Sequence, residues 1–131
     1  MNILIVDDDS ITRSTLKEIL SAYGTCDLCV NGKEAVQAFH YAFETSSPYD
    51  MIVLDIVMPE MNGIEALDEI RRVEKVNNVA PGDHVKIVMY TTEDDIETVT
   101  KAWHELGADC YLNKPINREA LIDNMKNIGL I

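Results

Sequence analysis

Two rhythms of apolar positions run through the chain. Short apolar blocks at 3–6 (ILIV), 51–54 (MIVL) and 85–90 (VKIVMY) each lead into polar residues or turn formers. Blocks of this length, bounded by turn signals, read as strands buried on both faces, the pattern of parallel sheets. Two weaker blocks, 25–30 and 108–112, predict a short second strand and a fifth. The other rhythm is helical. After Ser10, a capping residue, Ile11, Thr15, Leu16, Ile19 and Leu20 recur on one face, and Tyr23-Gly24 carries a stop signal. Further stripes predict four more helices: Ala35, Val36, Phe39, Ala42 and Phe43; Ile64, Leu67, Ile70 and Val73; Ile96, Val99, Trp103 and Leu106; Leu121, Ile122, Met125 and Ile128. Asp68 and Arg72 make a supporting i,i+4 pair on the third of them.

Five strands alternating with five helices predict an α/β fold, a five-stranded parallel sheet with right-handed crossovers and helices on both faces. No repeat, low-complexity tract or linker interrupts the order. Residues 1–131 therefore read as a single domain, long enough to bury its own core. The polar stretch 73–84, with Pro81-Gly82, is longer than most helix-to-strand connections. Because it precedes a strand, it belongs at the edge where strands begin, and it is expected to tolerate change.

The other edge, where strands end, carries the chemistry. The block 51–54 runs into Asp55 and then a Pro/Asn/Gly loop, and the block 3–6 runs into Asp7, Asp8 and Asp9. The carboxyl edge of an open α/β sheet is where ligands bind. Several carboxylates gathered there repel one another and call for a cation. Asp7 and Asp8 can hold a hard divalent ion such as Mg²⁺. Asp55 can complete that site and also act as a nucleophile, since carboxylates form acyl phosphates. Thr91 and Lys114 follow the fourth and fifth strands, so a hydroxyl and an ammonium join the same edge. Asp8 alone could be a helix cap, Thr91 a strand-end hydroxyl and Lys114 a solvated lysine, but four strands aiming polar groups at one edge argue against chance. The set reads as a phosphorylatable aspartate with its metal and its oxygen clamps.

Charge narrows the partners. With 23 acids against 11 Lys and Arg the formal net charge is −12, which works against direct contact with nucleic-acid phosphates or anionic lipid. The first residues form neither a secretory leader nor a membrane span, so the expected location is cytoplasmic. Three cysteines suggest no disulfide framework. Cys26 and Cys29 have a CxxC spacing, but on a strand residues three apart point to opposite faces, so both read as packing residues.

In four stretches the chain resembles the receiver domains of two-component response regulators: ILIVDDDS, MIVLDIVMPEMNG, KIVMYTTEDD and GADCYLNKPI. Their order and spacing match over essentially the whole length, from the first strand to the fifth. The resemblance implies the flavodoxin-like strand order 2-1-3-4-5. It implies Asp55 as phosphoacceptor, Asp7 and Asp8 as the acidic pair for Mg²⁺, and a backbone carbonyl to the metal from Val57. It implies Lys114 as the active-site lysine with a cis bond to Pro115, Thr91 as the switch hydroxyl and Tyr111 as the aromatic that responds to it. The phosphoryl donor would be a histidine kinase or phosphotransfer protein, or a small donor such as acetyl phosphate. The output would be a changed protein-binding surface. On this reading the domain is not an enzyme acting on a separate substrate, but it promotes its own phosphorylation and dephosphorylation. The ending after the fifth helix reads as a stand-alone receiver.

Two departures stand out. Residues 74–84 are longer than in the simplest receivers, and one extra residue separates Thr91 from Gly107, which makes Thr92 a rival for the switch. Thr91 is preferred because it leaves Glu93-Asp94-Asp95 in the usual register. The alternative reading is a Mg²⁺-dependent aspartyl phosphatase of the haloacid dehalogenase type. That enzyme needs a second acid two residues after the nucleophile, where this chain has Val57, and a cap domain. A flavin carrier of similar fold would want a Ser/Thr/Gly-rich phosphate loop where this chain has DDDS.

Overall fold

Residues 1–91 and 107–131 are described in the structure, a computed structural model. Five strands, β1 (Asn2–Val6), β2 (Thr25–Cys29), β3 (Met51–Asp55), β4 (Lys86–Thr91) and β5 (Cys110–Asn113), pair in parallel in the order β2-β1-β3-β4-β5. The expected order 2-1-3-4-5 is thus the observed one. Helices α1 (Ser10–Leu20), α2 (Gly32–Glu44), α3 (Gly63–Val76) and α4 (Arg118–Asn127) cover the sheet. The helix expected over Ile96, Val99, Trp103 and Leu106, together with Thr92 and Glu93-Asp94-Asp95, lies outside the described residues.

Alternation along the strands builds two cores. From β1, Leu4 and Val6 join Ile52, Leu54, Phe39, Leu67 and Ile70 beneath α2 and α3. Ile3 and Ile5 point the other way, against Val53, Val88, Leu16, Leu20, Leu121 and Met125 beneath α1 and α4. Every residue of β3 is buried, so the apolar block that ends in Asp55 is the sheet's central strand. Each such aliphatic side chain contributes about 1.5–3 kcal/mol by leaving water.

Asparagine or aspartate caps all four described helices. Asn31 accepts from Glu34 N–H, Asn117 from Ala120 N–H, and Asn62 forms a capping box with Glu65. At α1 the cap is Asp9 and not Ser10, which is the first helical residue. The Asp9 carboxylate reaches the N–H groups of Ile11 and Thr12 and takes the Thr12 hydroxyl at 2.6 Å. That hydroxyl bond, assisted by the two backbone bonds, holds its carboxyl below the usual range. Ile11 also departs from expectation. It sits in the first turn of α1, beyond the reach of the sheet, and is 75% exposed.

At the sheet edge where strands begin, Arg71 ties α3 to two strands. Its guanidinium donates to Glu74 at 2.6 Å, to the carbonyls of Val85 and Gly107, and to Asp109 at 3.1 Å. Glu74 in turn accepts the Val85 N–H at 2.7 Å. The long connection after α3 lies at this edge, as its place in the chain requires. Glu74, in the last turn of α3 just before it, is buried and bonded, so the tolerance expected of the stretch 73–84 does not extend to that residue. The expected Asp68–Arg72 pair forms at 3.5 Å on the exposed side of α3.

Candidate functional site

Three strand ends converge on one small volume. Asp7 follows β1, Asp55 ends β3, and Tyr90 stands opposite Asp55 in the β3–β4 ladder. Strand alternation sends all three side chains to the face covered by α1 and α4, since Asp7 keeps step with Ile3 and Ile5, Asp55 with Val53, and Tyr90 with Val88. Gly63 allows the loop after β3 to fold back tightly. A Cβ there would come within 2.2 Å of the Asp55 carbonyl, while the Gly63 N–H bonds the Ile56 carbonyl at 2.8 Å.

Asp7, Asp8 and Asp55 each offer a carboxylate oxygen, and the three lie within 4.8 Å of one another. Asp7 and Asp55 are buried and Asp8 is exposed, so the cluster opens on one side to water. Lys114 lies across it, with Nζ 3.0 Å from Asp55 Oδ2 and 3.3 Å from Asp7 Oδ2. The Lys114–Pro115 bond is cis.

Burial, reinforced by the Asp7 charge and only partly offset by Lys114, pushes Asp55 up to about 6. Lys114 moves upward too. Its partial burial works against the charge, but the carboxylates of Asp55 and Asp7 outweigh it. One ammonium therefore faces two buried carboxylates with a third at the rim. An all-oxygen acidic set with an open side fits a hard divalent cation such as Mg²⁺, which keeps several waters and takes few protein ligands.

Asp7 is held on every side. Oδ1 accepts the Asp9 N–H at 2.8 Å, and Oδ2 accepts the hydroxyl of Tyr90. Its backbone N–H bonds the Cys29 carbonyl at 3.2 Å, and its carbonyl takes Arg13 Nη1 at 2.8 Å. Tyr90 and Arg13 are the residues that sequence reasoning did not single out. A signal for Tyr90 was available: it is a phenol in an otherwise aliphatic buried block, in step with the strand end beside Asp55. Burial first, then its bond to Asp7, drives that phenol well above its ordinary pKa, so it acts as a donor.

The other expected residues also fall at this edge. Thr91 ends β4, is buried, and accepts the Lys114 N–H at its carbonyl, 2.8 Å away. Tyr111 lies on β5 beside Met89 and is 43% exposed. Val57 is 59% exposed, and its N–H reaches Asp55 Oδ1 at 3.3 Å. Cys26 and Cys29 point into opposite cores, and burial raises the Cys29 thiol to about 12. They form neither a chelate nor a redox pair.

The model of the response regulator receiver domain matches residues 3–126. The chain belongs to this family. Among curated relatives, the chemotaxis protein CheY of Halobacterium salinarum is 34% identical over 127 residues, covering 96% of this chain and 94% of that protein. The transcriptional regulatory protein CpxR homolog of Haemophilus influenzae is 36% identical over 128 residues, again 96% of this chain. The receiver domain spans about half the length of that and other curated relatives it matches. Among solved structures, a chain of the co-crystal of the Saccharomyces cerevisiae histidine phosphotransfer protein Ypd1 with the receiver domain of its downstream response regulator Ssk1 is similar. It aligns with a TM-score of 0.81 at 30% identity, covering 98% of this chain and 88% of that one. The chain is thus a receiver domain of two-component signalling. Among its described residues no helix is long and apolar enough to cross a membrane.

Proposed function

We propose that Asp55 is the phosphoacceptor of this receiver domain and that Asp7, Asp8, Asp55 and the backbone carbonyl of Val57 would hold Mg²⁺ beside it. The observation that carries this is the buried Asp55 carboxylate, 3.0 Å from Lys114 and with an oxygen within 4.8 Å of carboxylate oxygens of two further acids. When bound, Mg²⁺ would neutralise charge on the phosphoryl oxygens.

Ionised Asp55 attacks the phosphorus of a phosphohistidine. An O–P bond forms as the N–P bond breaks, and the departing imidazole nitrogen takes up a proton. Lys114 pairs its ammonium with a phosphoryl oxygen, and Thr91 gives that group a hydrogen bond from the end of β4. The acyl phosphate is lost when water attacks phosphorus, which breaks the new O–P bond and returns the carboxylate and inorganic phosphate. In both steps the domain acts on itself, so it is a signalling domain and not an enzyme for a separate substrate.

The donor fits a histidine kinase or phosphotransfer protein. Ypd1, a phosphotransfer protein, accompanies the Ssk1 receiver in the similar structure, which supports that class of partner. Phosphorylation would bias the surface of the segment after β4, β5 and α4 through Thr91 and Tyr111. The acidic chain would then signal by protein contact, as a single cytoplasmic domain over residues 1–131, without touching nucleic acid or membrane.

Incubation with a radiolabelled phosphohistidine protein tests the assignment. Label should pass to the parent and not to Asp55→Asn. Equal labelling of the two would refute it.

A further inference from the structure

We propose that Tyr90 is a positioning residue of the metal site: its hydroxyl, carried from β4 across β3 to the end of β1, fixes the Asp7 carboxylate in the orientation a divalent cation requires. The inference rests on the reading of Asp7 as a ligand. Tyr90 is fully buried, and its ring spans the width of β3 to reach a residue two strands away. Its hydroxyl meets Asp7 Oδ2, while the Asp9 N–H holds Oδ1 from the other side.

A carboxylate has about four acceptor sites, so two such bonds still leave lone pairs for an ion. What they remove is freedom to rotate. Without the hydroxyl, Oδ2 would face the apolar core with only the shared Lys114 for company, 3.3 Å away. The carboxylate would then turn toward that lysine or toward water. Partners that orient a metal's ligands typically account for 10–100-fold in affinity when removed.

The ring has a separate job, because Lys114 Nζ lies 5.0 Å from its centroid. Tyr90→Phe keeps the ring, the core volume and the cation–π contact, and deletes the hydroxyl alone.

Calorimetric titration with Mg²⁺, with no phosphoryl donor present, reads the effect without any turnover. The parent should bind, Asp7→Asn should not, and Tyr90→Phe should bind 10–100-fold more weakly. Urea unfolding in EDTA, run beside it, shows that the variant is folded. Tyr90→Leu gives a second route, because it lacks the same hydroxyl and should show at least the same loss. If either variant, folded, binds Mg²⁺ as tightly as the parent, the inference is overturned while the metal site stands. If the parent itself takes up no Mg²⁺, the metal reading falls and Tyr90's role falls with it.

Discussion

Lys114 Nζ lies 3.0 Å from Asp55 Oδ2, which places the ammonium where both a metal ion and a phosphoryl group would compete for the same carboxylate. Lys114→Met should therefore have opposite effects on two measurements. Mg²⁺ should bind several-fold more tightly, because a competing positive charge is gone. Phosphorylation by a histidine donor should slow by roughly a hundredfold, the usual scale for losing one charge-stabilising contact. A variant that weakened Mg²⁺ binding would contradict this role.

Asp55 also sets a pH dependence in metal-free protein. The folded state keeps its proton up to about pH 6, whereas the unfolded chain releases it near the ordinary value of 3.8. Protonation thus favours the folded state at low pH, and that contribution is lost as pH rises through the window between those values. Above it, the buried ionised carboxylate costs at most about 3 kcal/mol. In EDTA at pH 7.5, Asp55→Asn should be more stable than the parent by about 1–3 kcal/mol, and the gap should close near pH 4. Urea unfolding across this range checks it, and a gap that does not change with pH would count against the assignment.

Stability at the other sheet edge depends on Arg71. Its removal strands Glu74, whose side chain is 2% exposed, with a charge and too few donors. Arg71→Ala should cost about 3–5 kcal/mol, the range for breaking a buried ion pair by taking one partner away. Arg71→Ala with Glu74→Gln should recover part of that loss. The site chemistry, at the opposite end of the strands, should keep its parent rate in whatever fraction is folded.

Much of this molecule was legible in its sequence because the relevant physics is local. Apolar blocks 3–6 and 51–54 mark buried strands whatever else surrounds them, and the acids that follow them must then meet at one edge. Lys114 and Thr91 were readable for the same reason. Tyr90 was visible as a phenol in its strand but its partner Asp7 was not, and Arg71 gave no signal, because both roles depend on reach. A tyrosine spanning two strands and an arginine bonding to two backbone carbonyls and two acids leave no periodic trace. Asp9 and Ser10 show a subtler limit. Both are good caps, and only the backbone geometry of the first turn decides between them. Ile11 failed by position, since a helical stripe does not reveal where the sheet stops.

Thr91 and Tyr111 sit one residue past the β4–β5 pair Tyr90–Leu112 and one residue before it, respectively, close enough for one change to reach the other. In Thr91→Ala, Asp55 should still be phosphorylated, but amide shifts on β5 and α4 that accompany phosphorylation should shrink or vanish. Nuclear magnetic resonance of parent and variant, each phosphorylated and unphosphorylated, measures this. Unchanged shifts in the variant would break the proposed link between Asp55 and that surface.

Intact-mass spectrometry after incubation with acetyl phosphate puts the phosphoacceptor assignment to its simplest test. Parent protein in Mg²⁺ should gain a single phosphoryl group, and neither the parent in EDTA nor Asp55→Asn in Mg²⁺ should gain one. A phosphoryl adduct of equal yield on Asp55→Asn, or one indifferent to Mg²⁺, would contradict the assignment.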